Sequence, residues 1–278
     1  MNHRHADAAW KVQERGAPSP RAYLRLVNAW MTRVRARLKA LLDKHADADT
    51  TDDDAKQLDL FRRKLNQPGA IPPPPDEQDL AAVGWPAAKQ SARAARQGLL
   101  FAGYPRVELE GRLRAAGPTL VGIDIAPTEA DRLVLRAWAK DGTDLIRTVS
   151  QDLVTDLDEQ IVKAAREGRT DLARVVEERL GVHQRHAQFI ARDQIAKLNA
   201  AITQGTQRAA GVTHYKWRSS RDERTRPMHR ELDGTIQAWD DPPVTDDKGR
   251  TNHPGEDFAC RCVAIPRVPD LPDEPPPR

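Results

Sequence analysis

Aromatic residues make up only 5% of this 278-residue chain, and its mean hydropathy is -0.69. A sequence so poor in large apolar groups favours long helices with a broad solvated face over one thick globular core. Cysteine is scarcer still, with two residues, Cys260 and Cys262. That excludes a disulfide-stapled scaffold, and a bond between such near neighbours would close a strained ring. No apolar run approaches the roughly 20 residues of a membrane helix, and no signal-peptide pattern opens the sequence. A large net charge is also missing, at +3. So are a Walker loop, a GxSxG elbow and a dinucleotide fingerprint. The expectation is a soluble protein of a reducing cytoplasm, with no membrane partner and no recognisable catalytic motif.

What charge there is lies unevenly. Residues 1–46 hold ten Lys/Arg against three Asp/Glu, whereas 47–79 run acidic. Between Arg21 and Leu42, the residues Tyr23, Val27, Trp30, Val34, Leu38 and Leu41 recur at helical spacing. The opposite face carries Arg21, Arg25, Arg33, Arg35, Arg37 and Lys39 with no acid among them. Two readings stand: a face that touches double-stranded DNA or an acidic protein, or a solvated face of a packed helix. Leu58, Phe61 and Leu65 predict a second short helix through about Asn66, capped by Thr51 or Asp52.

The rest divides at punctuation. Pro68, Gly69 and the Pro72–Pro75 run predict a stiff spacer. Residues 79–116 are helical in tendency, interrupted at Trp85-Pro86 and Gly103-Tyr104-Pro105, and Thr119–Ile125 reads as extended. Four helices follow with short links. The first starts at the Thr128/Asp131 capping pattern and stops at Asp141-Gly142; the second runs from Leu145 to Arg166, with Gly168 as its stop. The third follows Thr170, and the fourth covers roughly His183–Arg208. Short strands are expected at 212–217, 235–239 and 260–265. The fold class is therefore α+β, mostly α: a helical N-terminal two-thirds and a small C-terminal domain with a short antiparallel sheet. The expected units are an arm over 1–67, a linker over 68–78 and a mixed segment over 79–127. A bundle over 128–209, the sheet domain over 210–265 and a Pro-rich disordered tail over 266–278 complete the chain.

The distinctive chemistry falls between His214 and Val263, which holds both cysteines and three of the eight histidines. Tyr215 and Trp217 alternate onto one strand face. Asp222, Arg224, Arg226 and His229 follow, then Leu232-Asp233-Gly234, His253-Pro254-Gly255 and Cys260-Arg261-Cys262. His229, His253, Cys260 and Cys262 offer the donor set of a tetrahedral structural zinc. Against it stand the uncommon Cys-x-Cys spacing and the alternative that these are buried, hydrogen-bonded residues. The acid–arginine group reads as a structural network. As an alternative, His229 and His253 would serve a metal-dependent nuclease as acid and base, with Arg226 on a phosphate.

This succession, from Tyr215 and Trp217 to Cys262, resembles the C-terminal domain of the phage Mu F-like minor head proteins, a family that includes Bacillus phage head morphogenesis proteins. The preceding ARDQIAKLN at 191–199 is similar to the helix before that domain, so the resemblance covers about 130–265. It implies a non-enzymatic minor capsid component in the virion head or procapsid interior, present in the host cytoplasm during assembly. The partners implied are the portal and the major capsid or scaffolding protein, with packaged DNA as a further contact.

Overall fold

A computed structural model describes residues 17–46, 54–115, 129–167 and 171–268. Among them are seven helices and three strands: α1 (Arg21–Ala46), α2 (Asp54–Leu65), α3 (Glu77–Phe101), α4 (Arg106–Ala115), α5 (Glu129–Arg166), α6 (Leu172–Ala209), β1 (His214–Arg218), α7 (Pro227–Glu231), β2 (Ile236–Ala238) and β3 (Val263–Arg267). The mostly helical α+β class is as the sequence predicts. The cap residues Thr51 and Asp52, the extended reading of Thr119–Ile125, the breaks at Gly168 and Thr170, and most of the tail lie outside the described residues.

The chain forms two compact units. One takes the described residues of Pro20–Leu80 and Ala139–Arg192; the other takes those of Ala81–Trp138, those from Asp193 onward and those before Pro20.

In the first unit the predicted stripe of α1 is the core: Tyr23, Val27, Trp30, Val34 and Leu38 are all fully buried. The Pro-rich spacer lies on this helix. Trp30 Nε1 donates to the Pro72 carbonyl at 3.1 Å, and Arg37 Nε to that of Ala70 at 3.3 Å. Ile146, Val149, Leu153, Leu157 and Ile161 form the buried stripe of α5. Its polar side carries a bidentate pair between Arg62 and Asp158, at 2.8 and 2.9 Å, and the Asp156 contacts to Arg179 and His183. The four expected helices are two long ones here. Gly142 does not end α5, because its missing side chain admits other groups: a Cβ there would meet Tyr23 Oη at 3.0 Å and Leu80 Cδ1 at 3.5 Å. Asp144, paired with Lys140 at 2.7 Å and Arg147 at 2.6 Å, reinforces the continuous turn. Likewise α6 runs unbroken through Gly181 and His183.

In the second unit α3 continues through Trp85-Pro86, where the sequence predicts an interruption. Burial of Ala87, Ala88, Ala92 and Ala95 outweighs the one backbone bond that proline removes. The break at Gly103 is real, with φ +95°. The sheet has order β2-β1-β3, both pairings antiparallel. Its strands are displaced from the expected ones: β3 begins at Val263, so the cysteines precede it, and Pro266 and Arg267 belong to the sheet rather than to a tail. Val268, next along, is also buried.

The sheet does not build its core alone. Leu99, Ala102, Tyr104, Leu109 and Leu113 pack in one cluster with Val212, Tyr215, Trp217, Trp239, Cys260 and Ala264. Tyr104 Oη donates to the Ala210 carbonyl at 2.6 Å within it. Tyr104→Phe should lower the free energy of unfolding by about 1–3 kcal/mol, the cost of a buried acceptor left unpaired. Denaturant unfolding of the two chains checks this.

Candidate functional site around the cysteine pair

The site is built on β1. Alternation along the strand sends Tyr215 and Trp217 to the same face, and both are fully buried. Each carries a histidine. The Trp217 ring meets His229 edge-on at 5.4 Å, while Tyr215 and Trp239 hold His253 at 5.6 and 4.9 Å. After β1 the chain turns through Arg221, at φ 56°. Asp233 fastens this turn by accepting from Ser219 N and Arg221 Nε, both at 2.8 Å. The turn delivers α7, which places His229 inside at 2% exposure.

Three of the four candidate metal ligands come together. His229 Nδ1 lies 3.6 Å from Cys260 Sγ and 3.5 Å from Cys262 Sγ, and the three donor atoms sit within 4.8 Å of one another. Its other ring nitrogen, Nε2, contacts Asp257 Oδ2 at 3.1 Å. The fourth candidate does not join them. His253 Nδ1 is 2.9 Å from Tyr215 Oη, and His253 is hydrogen-bonded to the Trp239 backbone. Burial disfavours its charged form and pulls its pKa down. A neutral ring accepting from the tyrosine hydroxyl satisfies these contacts, so the four-ligand expectation reduces to three.

The sulfurs sit in a polarised pocket. A thiol proton donated by Cys262 lowers the Cys260 pKa to about 5 against the effect of burial, aided by His229 and the Cys262 and Gly255 amides. The same hydrogen bond, together with burial, pushes Cys262 up. The bond to Cys260 raises His229, with Asp257 adding to it.

The loop that presents the cysteines is anchored to α6. Asp193, itself buried, accepts from Ala259 N at 2.7 Å and pairs with Lys197 Nζ at 2.9 Å. The latter ammonium also lies 4.6 Å from the Phe258 ring centre. Ala259 needs this tie, because it stands at φ 49°. Gly255, at φ +91°, gives its N–H to Cys260 Sγ at 3.4 Å, and a Cβ on it would lie 2.7 Å from that of Ala200. Neighbouring Pro254 is buried in the same turn. Further along α6, Gln207 Nε2 donates to Ala264 O and Arg208 Nη1 to Trp239 O, each at 2.9 Å.

The acid–arginine group is wired differently from the expected network. Asp222 pairs with Arg261, the residue between the cysteines, by a two-pronged contact whose second arm is 2.9 Å. Arg226 donates to the Phe258 carbonyl at 2.6 Å, and Arg224 is exposed. Gly234, at φ +87°, closes the β1–α7 excursion by donating to Trp217 O at 2.8 Å. Asp193, Asp233 and Asp257 are the residues that sequence reasoning missed as parts of the site. Spacing gave no sign of them, although the first two stand inside the ARDQIAKLN and Leu232-Asp233-Gly234 stretches.

On the basic helix, Arg35 is engaged by Glu177 at 3.0 Å and Arg37 by the spacer, whereas Arg25, Arg33 and Lys39 are exposed. Among the described residues no helix is long and apolar enough to cross a membrane.

Residues 155–265 match the family model described as Phage Mu protein F like protein. The match begins within α5 and ends within β3, taking in all of α6, α7, β1 and β2. An uncharacterized protein of Haemophilus influenzae is 39% identical over 124 residues, which are 44% of this chain and 27% of that protein. The chain thus spans about a quarter of the length of the curated relative it matches. No solved structure matches it.

The Asp222–Arg261 pair gives a pH prediction. The guanidinium hydrogen bonds hold the Asp222 carboxyl down to about 2, below its ordinary 3.8. A depressed carboxylate contributes stability above its unfolded pKa and loses it as pH falls through the folded one. Between about pH 4 and 2 the wild-type melting temperature should therefore fall more steeply than that of Asp222→Asn. Parallel curves would mean that the pair is inert.

Proposed function

We propose that this chain is a minor structural component of a phage or prophage head, acting in head morphogenesis as a docking module rather than as an enzyme. The observation that carries this is the Mu F-like match over 155–265, falling on a segment in which Asp193, Asp233, Asp257, His229 and His253 hold the cysteine loop, the turn after β1 and the sheet together. His229 and His253, the acid and base of a nuclease reading, are buried and committed to internal partners, and Arg226 is turned to a backbone carbonyl. That pattern suits a rigid surface carried by a fixed scaffold, and it favours docking over turnover.

The partners in this reading are the portal vertex and the major capsid or scaffolding protein, from the procapsid interior. The α1 residues Arg25, Arg33 and Lys39 supply a contact to packaged double-stranded DNA. Because the sheet shares its core with Leu99–Leu113, removing 210–265 would strip the partner helices of their cover. Docking is better tested by surface substitution.

Complementation of a phage lacking this gene provides the test. The wild-type chain should restore infectious particles, and the variant Arg25→Glu, Arg33→Glu, Lys39→Glu should give heads defective in DNA content or retention. Normal heads without the gene would remove the morphogenetic role. In vitro, charge reversal should weaken DNA binding and flatten its salt dependence by roughly 0.9 in log–log slope for each phosphate no longer neutralised. An unchanged slope would remove DNA from the partners.

A further inference from the structure

The donor geometry at the cysteine pair fits a tetrahedral ion. Bonds of about 2.3 Å from zinc to sulfur and about 2.0–2.1 Å to nitrogen imply a sulfur–nitrogen edge of about 3.5–3.6 Å. The two edges from His229 Nδ1 are 3.6 Å to Cys260 Sγ and 3.5 Å to Cys262 Sγ. We propose that His229 Nδ1, Cys260 Sγ and Cys262 Sγ bind one zinc ion, with Asp257 orienting the imidazole.

Three features beyond the ligands support this. Asp257 Oδ2 meets His229 at Nε2, leaving Nδ1 directed at the sulfurs; a carboxylate behind a histidine ligand fixes its tautomer and raises its basicity. Backbone amides face the sulfurs: those of Gly255 and Cys262 serve Cys260, and that of Ser220 serves Cys262. Such donors stabilise thiolates. Charge also balances, since a dication with two thiolates is neutral as a unit and tolerates a site where all three ligands are buried. Binding leaves two thiolates and a neutral imidazole on the ion, and the protons that these three groups carried go to solvent. Soft sulfur ligands with one imidazole select zinc over magnesium or calcium.

The mechanical role follows from the positions. His229 lies on α7, and the cysteines lie at the entrance to β3; these strands and turns are otherwise joined by a few hydrogen bonds. An ion between them clasps the α7 excursion to the last strand, in a sheet of three short strands.

The test uses the purified full chain. It should carry one equivalent of zinc, and cobalt exchanged into the site should show thiolate-to-metal charge-transfer absorption together with the visible bands of a tetrahedral ion. Asp257→Asn should weaken cobalt affinity by about 10–100-fold. His253→Gln should keep one equivalent, separating this site from a four-ligand one. Cys262→Ser should weaken the charge-transfer band, since the Cys260 thiolate remains on the ion; because that variant can misfold, chelation of the wild-type chain, with a fall in melting temperature restored by zinc, is measured beside it. A chain that takes up no zinc at neutral pH, or binds cobalt without charge transfer, overturns the proposal.

Discussion

Everything in the C-terminal unit depends on covering one face of β1. Tyr215 and Trp217 present two large rings to the same side of a five-residue strand, and a three-stranded sheet has too little surface of its own to bury them. The cover comes from distant sequence: the α3–α4 corner around Leu99, Tyr104 and Leu109, the end of α6, and the cysteine loop. The polar groups these segments bring in are then obliged to pair. Tyr104 finds the Ala210 carbonyl, Tyr215 finds His253, and His229 finds Asp257 and the sulfurs. The unusual residue types of this stretch follow from that requirement.

The same constraint explains what was legible in the sequence. Periodicity located α1 within a few residues, because its buried stripe of Tyr23, Val27, Trp30, Val34 and Leu38 is uninterrupted. Alternation located β1 for the same reason. Glycine and proline misled where tertiary packing used them otherwise: Gly142 makes room for Tyr23, and Pro86 sits within a helix whose alanine face is buried. The fixed order of motifs identified the family segment, and the comparison bears it out over 155–265. Spacing could not reveal which partners meet. Asp222 pairs with Arg261 rather than with a neighbouring arginine, and His253 goes to Tyr215, because loop closure rather than local sequence decides both.

Around the cysteines, structure and chemistry converge on a small polar knot. Asp193 fixes the loop from the helix side, Asp233 fixes the turn after β1, and Asp257 orients the one histidine that faces both sulfurs. Each carboxylate is at most half-exposed and spent on a single positioning task. A module so fully cross-tied presents the same surface at every encounter, which lowers the ordering cost of docking. That is the physical sense in which the segment suits the docking role proposed for it.

A stoichiometrically minor part of a phage head should be countable in the particle itself. Quantitative mass spectrometry of procapsids and mature heads, purified from the phage that encodes this chain, tests the proposed role most directly. The expected result is a few copies per particle, with a fall between the two stages if the protein leaves during maturation. Absence of the chain from both particles would contradict it.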